Sequence, residues 1–138
     1  MDVVLNKKES IERCINQIKL YYSTQSPLPF EEDYYKQDAI AANLQRACEQ
    51  SIDVASHIIK KYKLGLPKST KDCFDILATN NIIPESLSKE LKGMVGFRNL
   101  LVHQYMEMDI NIFKGIIENH LDDLVEFTNI CLKYVMEN

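Results

Sequence analysis

The chain has no tryptophan, and only four glycines and four prolines among its 138 residues. So few turn-forming residues exclude a sandwich or barrel of many short strands, which needs a turn every 8–12 residues or so. They also exclude low-complexity and collagen-like classes. Cys14, Cys48, Cys73 and Cys131 contain no C-x-x-C pair. They read as small apolar side chains in a reducing compartment, with neither a zinc site nor a disulfide framework. His57, His103 and His120 share no metal-ligand spacing. No stretch approaches the ~20 apolar residues of a membrane span, and the N-terminal segment has no apolar core of a signal peptide. The cytoplasm is the expected location, with no membrane, metal or cofactor. The net charge is −4, so the surface as a whole is not the basic one that binds nucleic acid. Any such partner requires a local patch.

Helical periodicity fills nearly the whole chain. Ile11, Ile15, Ile18 and Tyr22 step by 4, 3 and 4, which is one helix face. Ser23 to Pro29 breaks that helix. A second helix is expected from near Glu31 to Leu64, terminated at Gly65 with Pro67 beyond. Ser69 or Thr70 caps a short third helix ending at Asn80-Asn81. Pro84 opens a fourth. Asp109 caps a last one, whose apolar side runs from Ile110 to Val135. The pattern predicts one all-α domain over residues 1–138, an up-and-down bundle of about five helices with short connections.

The densest chemistry lies in Arg98-Asn99-Leu100-Leu101-Val102-His103-Gln104-Tyr105. An arginine, a histidine and a tyrosine stand in an apolar frame, with Met94-Val95-Gly96-Phe97 before and Met106 after. Arginine and histidine are costly to bury unless paired. Together they offer a phosphate-binding fork, a proton-transfer group and a phenol. That set suits phosphodiester cleavage without a metal. His103 is five residues from Arg98, about 140° round a regular helix. Both reach one site if the helix ends or loosens there, or if a second subunit supplies one of them. The bare R-x4-H spacing is common, and by itself it fits better a helix C-terminus whose cations face the last carbonyls.

Two further features have double readings. Asn43, Arg46, Gln50, Asp53 and His57 form a polar stripe on the second helix. It is either a solvated face or the wall of a cleft in which Asp53 or Asn43 orients His103 or Arg98. Lys60, Lys61, Lys63, Lys68 and Lys71 gather around the Gly65-Leu66-Pro67 turn. They either solvate helix ends or form the local basic patch that RNA would need.

The motif resembles the R-N-x3-H-x-Y signature of HEPN-domain proteins, particularly the HepT-type toxins of toxin–antitoxin modules. The likeness extends through residues 43–49 and 52–58, Gly65-Leu66-Pro67, Asp72-Cys73-Phe74 and the lead-in Lys92 to Phe97, covering roughly 40–106. It implies a two-fold symmetric homodimer with a composite cleft. It also implies a metal-independent endoribonuclease acting on transfer or messenger RNA, with Arg98 and His103 catalytic and Asn99 and Asp53 supporting. The implied partner is a minimal nucleotidyltransferase antitoxin that transfers AMP to Tyr105. The alternative is a non-catalytic helical subunit that partners a nucleotidyltransferase.

Overall fold

The computed structural model describes residues 2–138. It contains six α-helices and, among the described residues, no strand: α1 Asp2–Ser23, α2 Tyr34–Lys61, α3 Thr70–Thr79, α4 Glu85–His103, α5 Ile110–Asn119 and α6 Leu121–Glu137. Short 3-10 turns at Phe30–Glu32 and Tyr105–Glu107 precede α2 and follow α4. The long middle helix α2 packs against α1, α3, α4 and α6. Side-chain pairs fix the directions. Lys7 near the start of α1 meets Asp53 late in α2. Lys36 at the start of α2 reaches the carbonyl of Thr24 at the end of α1. The two helices are therefore antiparallel. Lys19 late in α1 meets Asp122 at the start of α6, so α6 runs against α1 and alongside α2.

The expected count of about five helices is corrected to six. The run from Asp109 onward is broken at His120, which leaves helical geometry (φ −124°, ψ −1°). No glycine or proline marks the break, and the apolar periodicity passes through it. At the break His120 Nδ1 faces Asp123 Oδ2, three residues on, at 3.0 Å, and Glu90 Oε2 of α4 at 3.3 Å, a contact with a distant helix. Local signals elsewhere act as expected. Ser69 accepts from the Asp72 amide and Asp109 from the Asn111 amide, capping α3 and α5. The end of α2 differs in detail. The helix stops at Lys61, and Lys63 already takes the left-handed conformation (φ 54°) two residues before Gly65.

All six helices contribute to one apolar core. Each fully buried Phe or Ile side chain in it contributes roughly 1.5–3 kcal/mol. One part of the core positions the motif. Phe97, the residue before Arg98, packs on Phe113 of α5 with ring centroids 5.6 Å apart. Phe113 packs on Phe30 at 5.8 Å, and Phe30 on Tyr22 at 5.1 Å. This aromatic chain ties the last turns of α4 to the start of α2. The four cysteines are free and buried, and no described helix is long and apolar enough to cross a membrane.

Candidate active site

Helix α4 remains regular up to His103, so the helix does not loosen between Arg98 and His103. Leu91, Met94, Val95 and Leu101 are buried along its inner side. Arg98, four residues beyond Met94 and seven beyond Leu91, continues that stripe. Its Nε is buried without a hydrogen-bond partner. Its charge is felt at Cys48 in the middle of α2. Burial pushes that thiol up to about 12, and Arg98 pulls against the rise. Helices α2 and α4 pack together, and Arg98 stands on the inner side of α4 with its Nε buried. An unmatched buried donor is expensive in a charged group, and a phosphate oxygen is the partner such a fork suits best.

His103 points elsewhere. It is the last residue of α4, is exposed, and its side chain makes no hydrogen bond among the described residues. It shares its side of the helix with Gly96, seven residues earlier. A Cβ at Gly96 would lie 3.4 Å from Lys71 Nζ, so the Lys71 ammonium rests across the same side, about 10 Å up the axis. Lys71 is thus the member of the lysine group that the fold brings to the motif. Val102 and Met106 bracket His103 as exposed apolar residues, Met106 at 95% exposure. Asn99 is exposed on α4.

Tyr105 begins the 3-10 turn after α4 and folds back onto α2. Its hydroxyl donates to Asp38 Oδ1 at 2.6 Å. Burial first, then this hydrogen bond and the Asp38 charge, hold the phenol well above its ordinary range. A cleft of about 480 Å³ opens beside the pair, lined by Glu31, Tyr34, Asp38, Tyr105, Met106 and Met108 among others. At its edge Glu31 is held by Lys114 at 2.7 Å. That contact lowers the Glu31 carboxyl and raises the Lys114 amine. Asp38 was not a sequence candidate. It lies far from Tyr105 in sequence, and an exposed aspartate near a helix start has an ordinary local explanation.

Within one subunit Asp53 is engaged elsewhere than at the motif. Asp53 pairs with Lys7 of α1 at 3.2 Å. The physical reason is helical geometry: α4 lies on the Cys48 side of α2, and positions 43, 46, 50, 53 and 57 fall about 140–180° away from Cys48. The polar stripe is the face turned from α4. Asn43 donates to the Ala39 carbonyl of its own helix at 2.9 Å. His57 keeps a buried, unpartnered Nε2, and burial, aided by Lys61, lowers its pKa. The fold also assembles Glu90, His120 and Asp123 with ligand atoms within 4.8 Å of one another. Two carboxylates thus converge on one imidazole nitrogen. Such a set is able to close round a cation, a grouping invisible in the spacing of the three histidines.

The chain and its fold are similar to those of known proteins. The chain is 42% identical over 129 residues to the mRNA nuclease HepT of Shewanella oneidensis, covering 94% of this chain and 96% of that one. It is 28% identical over 119 residues to the tRNA nuclease HepT of Aphanizomenon flos-aquae, covering 83% and 78%. The solved structure of the tri-AMPylated Shewanella oneidensis HEPN toxin in complex with MNT antitoxin superposes with a TM-score of 0.88. It is 42% identical, over 94% of this chain and 96% of that chain. A family model described as ribonuclease HepT-like matches residues 11–130, and the chain belongs to that family.

Proposed function

We propose that this chain is the toxin of a toxin–antitoxin pair, a metal-independent endoribonuclease working as a two-fold homodimer. The whole of residues 1–138 acts as one domain, in the cytoplasm. The observation that carries the reading is the divided placement of the two catalytic candidates. Arg98 has a buried, unmatched Nε on the inner side of α4, and His103 is exposed at its end. On an unbroken helix they diverge by about 140°. A second subunit is a route that joins them while leaving α4 regular. The exposed Val102 and Met106 around His103 supply apolar surface for that contact.

In the composite cleft, Arg98 grips the scissile phosphate and offsets charge as it grows on the phosphorane. One His103 takes the ribose 2′-OH proton, and the other protonates the departing 5′ oxygen. Lys71 holds a neighbouring phosphate along α4. Messenger and transfer RNA, the substrates in the names of the two relatives, are the substrate class. Cleavage of RNA by the purified chain is expected to persist in EDTA and to leave 2′,3′-cyclic phosphate ends. A strict requirement for Mg²⁺ overturns the metal-independent mechanism. Failure to cleave by a chain of confirmed unmodified mass favours the non-catalytic subunit.

Neutralisation follows from Tyr105. The tri-AMPylated toxin in complex with an antitoxin supports AMP transfer to Tyr105 by a nucleotidyltransferase partner. An anionic adduct two residues from His103 competes with RNA for the cationic site. Tyr105→Phe is expected to stay cleavage-competent after incubation with the antitoxin and ATP, with no adduct in the peptide spanning residue 105. Inactivation of the Phe variant by AMP transfer elsewhere shows that Tyr105 is the wrong acceptor.

A further inference from the structure

We infer that Asp38 is the general base that activates Tyr105 for AMP transfer. This rests on Tyr105 being the acceptor and adds the residue that makes it reactive.

The geometry is specific. The Tyr105 hydroxyl donates to Asp38 with Oη and Oδ1 2.6 Å apart, within the range for proton transfer from O–H to a carboxylate. Asp38 is in no salt bridge among the described residues, so no cation draws its charge away. The cleft of about 480 Å³ opens beside both groups, large enough to admit part of a nucleotide. The aromatic chain from Phe97 to Phe30 holds the two supporting segments in register.

A phenol at neutral pH is a weak nucleophile, and the negative charge of Asp38 disfavours a free phenolate in the resting state. The carboxylate acts instead during bond formation. As Tyr105 Oη attacks the α-phosphorus of ATP, its proton passes to Asp38. The new bond is Oη–P, and the bond broken joins the α-phosphorus to the bridging oxygen. Pyrophosphate leaves, and Asp38 returns its proton to water. No oxidant or further reactant is needed. After transfer Oη has no hydrogen to donate, so the Asp38 bond is lost. The new phosphodiester anion also repels the carboxylate. The adduct is thereby expelled from its resting contact, towards the cationic groups of the motif.

The test uses the full chain with its nucleotidyltransferase and ATP, following AMP addition at Tyr105 by mass across a range of pH. Asp38→Asn keeps the size and the acceptor oxygen but cannot take the proton. It is expected to slow transfer by about 10²–10⁴-fold near neutral pH. The rate of the Asn variant is expected to climb steeply with pH as hydroxide replaces the base. Asp38→Glu restores the carboxylate and should recover much of the rate. Equal rates for wild type and Asp38→Asn at Tyr105 overturn the base role and leave the acceptor intact. An Asn variant that is slower with an unchanged pH profile, and is not rescued by Glu, makes Asp38 structural and also overturns it. No adduct on wild-type Tyr105 overturns the acceptor reading and this one with it.

Discussion

His103→Ala is expected to reduce RNA cleavage by about 10²–10⁴-fold, the range for loss of a general acid–base group. That corresponds to about 3–5 kcal/mol in the barrier. The substitution isolates chemistry from folding unusually well. His103 is the last residue of α4, exposed, and without a side-chain hydrogen bond among the described residues. Such surface changes alter stability by about 0.5 kcal/mol or less. The unfolding midpoint of the variant should therefore match the wild type while its products vanish from a denaturing gel run after incubation in EDTA. Arg98→Ala should also be inactive, but that result mixes two causes. It removes the phosphate fork and a side chain on the core-facing stripe, and it eases the burial cost of an unmatched Nε. Undiminished cleavage by His103→Ala removes the imidazole from the mechanism and leaves the phosphate site without its proton carrier.

Much of this molecule is legible in its sequence, and what is not has a common cause. Caps and apolar steps are local, so Ser69, Asp109 and the apolar lines of α1 and α4 announce their helices directly. The R-N-x3-H-x-Y motif is contiguous and equally open to reading. The break at His120 is less open, because one of the two carboxylates on that imidazole, Glu90, comes from a helix distant in sequence. Asp38 escapes notice for the same reason: its meaning lies in a hydroxyl 67 positions away. Asp53 shows the converse difficulty. Its helical spacing with Asn43, Arg46, Gln50 and His57 suggests a functional face, but spacing does not say which face of α2 receives α4. Contacts between distant segments decide that: Asp53 pairs with Lys7 of α1, and Asp38 with Tyr105 just after α4. Lys71 is distinguished from its neighbouring lysines by the bare backbone at Gly96, again a tertiary fact.

A heterodimer of Arg98→Ala with His103→Ala is expected to regain cleavage that neither homodimer possesses. Each homodimer lacks both copies of one group. The mixed dimer retains one arginine, from the His103→Ala subunit, and one histidine, from the Arg98→Ala subunit. If each parent loses about 10²–10⁴-fold, recovery should stand clear of both by an order of magnitude or more. It should remain below wild type, because a single histidine has to act in turn as base and as acid. The two chains are co-expressed with different tags and purified through both, so that only mixed dimers are assayed. Sites built within one chain predict silence, since every subunit is then missing a partner. The placement of the side chains favours recovery. Arg98 has a buried, unmatched Nε on the inner side of α4, and His103 is exposed at the end of that regular helix, about 140° round it. Joining them across a two-fold axis leaves α4 intact and covers the exposed Val102 and Met106. A mixed dimer as inactive as its parents, or a chain that is monomeric by light scattering while cleaving RNA, would refute the shared cleft.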